Sequence, residues 1–210
     1  MNKPSHLTRL EQRVQRAVRE DVAIVPYDIR WPKLFCEEAE HLRSCVPAGL
    51  IRRIEHFGST AIPGLAAKPI IDLLVEVRSL RSARTEIAPT LKAQGYDYFW
   101  RPSFGDDVPP WYAFFIRRNR RGIRTHHIHM VTRRRTFQEH WERLLFRDFL
   151  IAHPETAREY ERLKTKLAAA HPNDRVAYTS GKTAFIQRVT AQAKQRQRKR
   201  QARSLERDQP

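Results

Sequence analysis

Apolar and polar positions repeat with two different periods along this chain, and the change of period separates a mixed first part from a helical second part. Leu7, Leu10, Val14, Ala17 and Val18 form the stripe of a short amphipathic helix within Met1–Glu20. Val25-Pro26-Tyr27-Asp28 reads as an extended lead-in to a second helix, from Pro32 to about Val46. Proline suits the first turn of that helix, Leu34, Phe35, Ala39 and Leu42 supply its apolar face, and Pro47 with Gly49 stops it. Ile51–Phe57 predicts a strand, and Pro69–Val77 a buried central one in which Asp72 interrupts an apolar run. Turn formers fill Gly58–Gly64 between them. A helix over Ser82–Gln94, ended by Gly95, precedes two more strands at Tyr112–Arg117 and Ile123–Val131, joined by the basic turn Arg118–Gly122. From Phe137 onward the period is helical: one helix to about Ala152, one over Pro154–Ala170, and one from Asp174 to about Ala193, with Pro154 and Pro172 at the breaks. The expectation is an α+β fold, a small mixed β-sheet packed by helices with a helical C-terminal half closing one side of a cleft.

Length and composition add the domain plan. A chain of 210 residues, 40% hydrophobic, buries one substantial core. We expect an N-terminal helical extension over 1–21, a single domain over 22–190 and a basic tail over 191–210. No apolar run approaches the roughly 20 residues that cross a bilayer, and the amino terminus lacks a signal-peptide apolar region, so the expected location is cytoplasmic, with no membrane partner. Cys36 and Cys45 give no disulfide or zinc pattern.

A formal charge of +17 and a pI near 10.7 point to anionic partners. The last twenty residues carry seven basic against two acidic side chains, and the body is basic as well. Lys194–Arg200 has no apolar face, which leaves a fraying helix extension or a disordered tail. For this tail and for Arg133-Arg134-Arg135 two readings stand, solvated charge and contact with nucleic acid. The oligomeric state is not legible.

The chemistry-bearing positions cluster around Asp72. A Gly-Ser turn suits a phosphate, because glycine lets backbone amides approach an anion and serine adds a hydroxyl; Gly58 and Ser59 are those residues. Asp72, Leu74 and Glu76 share one strand face, but Glu76 lies roughly 13 Å beyond Asp72 and cannot hold the same ion. His127 and His129 also share a face and offer nitrogen ligands if their strand neighbours Asp72; with a carboxylate they favour a transition metal over magnesium. Cations come from Lys68 and Arg124 near the sheet and from Lys164 and Lys182 on the helical side, where Tyr178 lies four residues before Lys182. Blander roles compete: a simple turn at Gly58, an ion pair between Asp72 and Lys68 or an arginine, hydrogen-bonded sheet histidines. Gly181-Lys182-Thr183 imitates the end of a phosphate loop, but Val176 replaces its first glycine and no strand precedes it.

The stretch from His56 to Asp72 closely resembles the GrpB family. So do Val25-Pro26-Tyr27-Asp28 with Trp31-Pro32, His127-Ile128-His129, Leu145-Phe146-Arg147-Asp148 with His153-Pro154, and Tyr178–Ile186, all in the family's order and together covering about Val22 to Val189. The resemblance implies a nucleotidyltransferase-like fold that binds a nucleotide or another phosphorylated small molecule. On the residues themselves we expect a divalent metal ion, magnesium, manganese or another transition metal, on Asp72, His127 and His129, and nucleotidyl transfer with Asp72 as the catalytic carboxylate. Gly58, Ser59, Lys68, Arg124, Tyr178 and Lys182 would hold the phosphates. Active nucleotidyltransferases carry a second acid one residue past the first, where this chain has Leu74. A similar domain follows dephospho-CoA kinase in some bacteria, with a proposed folding-helper role, so a non-catalytic helper or interaction domain is the alternative. Nucleic-acid binding through the basic surface and tail is a further one.

Overall fold

The structure, a computed structural model, describes residues 22–103 and 108–207, and the helix expected within Met1–Glu20 lies outside the described residues. Its centre is a five-stranded mixed sheet built from β1 (Ile51–Phe57), β2 (Ile71–Val77), β3 (Asp97–Pro102), β4 (Trp111–Arg118) and β5 (Arg124–Val131), in the spatial order β1-β2-β5-β4-β3. Only β2 and β5 pair in parallel; the other three pairs are antiparallel. The α+β architecture is as the pattern predicts.

The alternation of β2 decides what covers each face. Ile71, Leu73, Val75 and Val77 point to one side, where they pack against Trp31, Ala39 and Leu42 of helix α1 (Trp31–Cys45) and against Ala83, Ile87 and Leu91 of helix α2. Helix α2 spans 80–93 and widens into a π-helical stretch over Ala83–Ile87. That stretch ends two positions before Pro89, whose ring has no N–H for the ladder. Leu74 points to the other side, into a cluster with Phe57, Tyr112, Phe114 and Ile116 that is capped by Phe137, Trp141 and Leu144 from the start of helix α3 (Gln138–Ala152).

Helices α3, α4 (Pro154–Ala170), α5 (Arg175–Ser180) and α6 (Thr183–Arg207) make the C-terminal half. A third cluster joins them to the turn after β1: Ile62 and Leu65 pack with Phe146, Phe149, Tyr160, Phe185 and Val189. Among the described residues no helix is long and apolar enough to cross a membrane.

Two elements depart from the expectation, and the tail settles on one of its two alternatives. Strand β3 was not predicted; its Tyr98, Phe99 and Trp100 are all partly buried, without the alternation that marks a strand. The helix expected from Asp174 to Ala193 is broken at Gly181-Lys182 into α5 and α6. A Cβ on Gly181 would lie 2.5 Å from the Leu167 side chain, so α4 packs directly on the break. The basic tail takes the helical option as far as Arg207, and its beginning docks on α3: Lys194 Nζ lies 2.6 Å from Glu142, and Arg196 contacts His153 and the Phe149 ring.

Candidate functional site

The chain leaves β1 through Gly58, whose φ of 76° is one that side chains rarely adopt, and the reason for glycine is spatial as well. A Cβ here would sit 2.5 Å from Oδ2 of Asp72. A 3₁₀ turn over Ser59–Ala61 follows, fixed by Thr60, whose hydroxyl donates to the Ile70 carbonyl at 3.2 Å and accepts from His56 Nε2 at 3.0 Å. Helix α4 holds the far end of the loop by both backbone groups of Ala66: the Ala66 N–H donates to Glu161 at 2.9 Å, and Lys164 donates to the Ala66 carbonyl.

Parallel pairing sets Asp72 against His127 and Leu74 against His129. His127 Nδ1 lies 2.9 Å from Asp72 Oδ1, and Arg124 Nη1 lies 3.0 Å from His127 Nε2. A guanidinium only donates, so Nε2 is the acceptor and Nδ1 carries the proton that goes to Asp72. His129 Nδ1 is 3.2 Å from the Tyr112 hydroxyl. Burial pulls His127 down to about 4, against the Asp72 hydrogen bond that works to raise it, and puts His129 well below the usual imidazole range. Both rings are therefore neutral at pH 7. Burial alone would raise the Asp72 carboxyl, but the His127 hydrogen bond and the Lys68 charge outweigh it and leave Asp72 ionised.

Several cations stand near this carboxylate, and Glu161 lies beside one of them, Lys164. Lys68 and Lys182 lie over the Tyr178 ring, at 4.7 and 4.4 Å from its centroid, and Tyr178 itself is fully buried. Burial, with the charges of Arg175 and Lys182, brings Lys68 down to about 7. Lys182 falls to about 8, through burial and Arg175 and in spite of Asp72. Lys164, buried under the Tyr160 ring, falls to about 7 through burial and the charge of Lys182. Burial is the largest cause of the fall in all three lysines, and neighbouring cations add to it.

The sequence-predicted residues thus gather around Asp72: Gly58 and Ser59 from the turn after β1, Arg124, His127 and His129 from β5, Lys68 from the loop, and Tyr178 and Lys182 from the α5–α6 break. The last two were expected on one continuous helix; they meet across its interruption. Tyr160, Arg175 and Tyr112 also belong here and were missed. Ser59 hydrogen-bonds with Tyr160, and only the position of Arg175 three residues before Tyr178 could have drawn notice. Glu76 faces a different cavity, and Leu74 is fully buried among apolar side chains.

Asp72, His127 and His129 can each offer one ligand atom within 4.8 Å of the others'. One carboxylate and two neutral imidazoles suit a divalent transition-metal ion. The fit has one condition: both ring nitrogens of His127 are engaged, Nδ1 with Asp72 and Nε2 with Arg124, so one contact must open before the ring can bind an ion.

The profile of the GrpB family ("GrpB protein") matches residues 21–192. The protein YqkA of Bacillus subtilis is 39% identical over 176 residues, which cover 84% of this chain and 48% of YqkA, so the chain spans about half of that relative. The glutamate-rich protein GrpB of Alkalihalophilus pseudofirmus is 36% identical over 171 residues, 80% of this chain and 94% of that protein. The crystal structure of the conserved protein GrpB from Enterococcus faecalis superposes with a TM-score of 0.69 at 33% identity, covering 81% of this chain and 96% of the other.

Proposed function

The chain belongs to the GrpB family, and from that premise we propose that it binds a phosphorylated small molecule, nucleotides included, in the cleft around Asp72, together with one divalent metal ion. The observation that carries this reading is the imbalance of charge: one ionised carboxylate faces Lys68, Lys182, Arg124 and Arg175, with the two lysines lowered to about 7 and 8. A phosphate group supplies the missing negative charge, and the Gly58-Ser59 turn offers it backbone amides and a hydroxyl. Asp72, His127 and His129 are the residues that would hold the ion, whose chemistry is to neutralise phosphate oxygens. Ligand and ion support each other, because a phosphate that draws Arg124 off His127 frees the imidazole for the metal. Leu74, sealed in an apolar cluster where a second acid would stand, favours binding over two-ion nucleotidyl transfer.

The test is thermal denaturation of the full chain with manganese, with adenosine triphosphate, and with both. The expected result is a rise in Tm that is largest with both and disappears in Asp72→Ala and in Lys68→Ala/Lys182→Ala. Absence of a rise under every condition, or an equal rise in the variants, refutes it.

A further inference from the structure

A second cavity, about 610 Å³ in volume, opens at the opposite end of β2, roughly 16 Å along the strand from Asp72. Its position follows from topology. The adjacent parallel strands β2 and β5 send their following helices to opposite faces of the sheet: α2 packs on the side of Leu73 and Val75, α3 on the side of Leu74. A crevice must open at the carboxyl ends of two such strands, and in open sheets this is where ligands bind. Both helices begin at its walls, with Ser79 capping α2 and Thr136 and Phe137 leading into α3, so the positive ends of two helix dipoles meet there.

The lining has a definite chemical character. Five exposed arginines, Arg52, Arg78, Arg81, Arg133 and Arg134, line it against the single acid Glu76, the Arg133 guanidinium resting over the Trp141 ring. Trp111 adds a half-buried aromatic face. The decisive residue is Thr132, the first after β5. It is only 8% exposed, it lines the cavity, and its hydroxyl, closed off from solvent, has no hydrogen-bond partner among the described residues. Buried hydroxyls are satisfied in folded proteins, and a turn about the Thr132 side-chain bond would bring this one to the crevice wall, where a ligand atom can satisfy it. The volume lies within the range of small-molecule sites.

We infer that this crevice is a second binding site, for an oligophosphate group, either free or as the tail of a nucleotide. Several arginines around one ligand match the forked geometry of phosphate oxygens, and Thr132 supplies a neutral hydrogen bond at the floor. The inference does not rest on ligand binding in the Asp72 cleft.

The test is titration of the ¹⁵N-labelled full chain with inorganic tripolyphosphate and, separately, with adenosine triphosphate. The readout is the indole N–H signal of Trp111, identified among the four tryptophans as the one lost in Trp111→Phe. The expected result is a saturable shift whose apparent Kd rises about tenfold or more in Arg78→Gln/Arg134→Gln and severalfold in Thr132→Val. In Lys68→Ala/Lys182→Ala it should stay within about twofold, since those residues are remote from the crevice. All four substituted positions of the crevice variants and the control are checked for an unchanged fold by circular dichroism. Equal affinity for the two probes identifies free oligophosphate; tighter binding of the nucleotide that is lost in Trp111→Ala identifies a nucleotide. A shift that fails to saturate, one indifferent to the arginine replacements, or one abolished in Lys68→Ala/Lys182→Ala overturns the proposal. So does binding of a single-stranded oligonucleotide with none of tripolyphosphate.

Discussion

Gly58 and Asp72 are in contact: there is no room between the turn backbone and the carboxylate for even one methyl group. The turn that suits an anion and the acid that suits a cation are therefore one packed unit, although thirteen residues separate Gly58 from Asp72 in the chain.

Gly58→Ala tests that unit. The substitution adds a Cβ at 2.5 Å from Oδ2 and places alanine at a φ of 76°, so it is expected to cost about 1–3 kcal/mol and to abolish the ligand-dependent rise in Tm. Urea unfolding gives the first quantity. Wild-type stability with an intact rise would mean that the turn can move without disturbing Asp72.

Leu74→Asp asks whether the second acid can simply be restored. Leu74 is fully buried between Phe57 and Trp141 in the second core cluster, where a carboxylate has no partner, so the expected outcome is a loss of about 3 kcal/mol or more. A stable variant with tighter manganese binding would contradict this.

The buried lysines make stability depend on pH. Lys164 keeps its proton up to about pH 7 in the folded chain, and up to about 10.4 when unfolded. Between these values the unfolded state binds more protons, so stability rises with pH, and below about 7 the whole penalty of burying the charge is present. Lys68 and Lys182 act in the same direction. Lys164→Met is expected to flatten the rise in Tm between pH 7 and pH 10. Affinity for a phosphorylated ligand has the opposite slope, falling through pH 7 to 8 as Lys68 and Lys182 lose charge; calorimetric titration across that window decides it.

On the far face of the sheet, Glu38 of α1 is fully buried and bonded by Arg117 and by the Tyr96 hydroxyl at 2.7 Å, whereas the Arg117 side chain is 41% exposed. The two halves of this pair are unequal. Arg117→Ala strands a buried carboxylate and is expected to cost about 3–5 kcal/mol. Glu38→Gln keeps an acceptor for Tyr96 and lets Arg117 turn to water, for about 1–2 kcal/mol. Urea unfolding of both variants in the reverse order would refute the account.

The parts of the cleft that could be read from the sequence are those in which a local pattern carries the meaning. An acid inside the apolar run of β2, a Gly-Ser pair ahead of it, and histidines on alternate positions of β5 are visible within a few residues. That Asp72 and His127 touch is not local information: it depends on pairing two strands 55 positions apart. Tyr112 and Arg175 enter the cleft through the same kind of distant packing. Strand β3 escaped because its aromatic residues are partly buried on both faces, and the break at Gly181 because its cause is Leu167 on another helix.

The late arrival of β5 also shapes how the chain must be made. As residues emerge in order, β1 can pair with β2 at once, yet the other edge of β2 stays open until the chain has reached Val131. In that interval the most apolar strand of the protein offers its free backbone groups to any neighbouring chain. Asp72 and Glu76 are the charges within it, and a charge set into an exposed apolar strand discourages such pairing. The carboxylate at the head of the finished cleft has already guarded the unfinished sheet against aggregation.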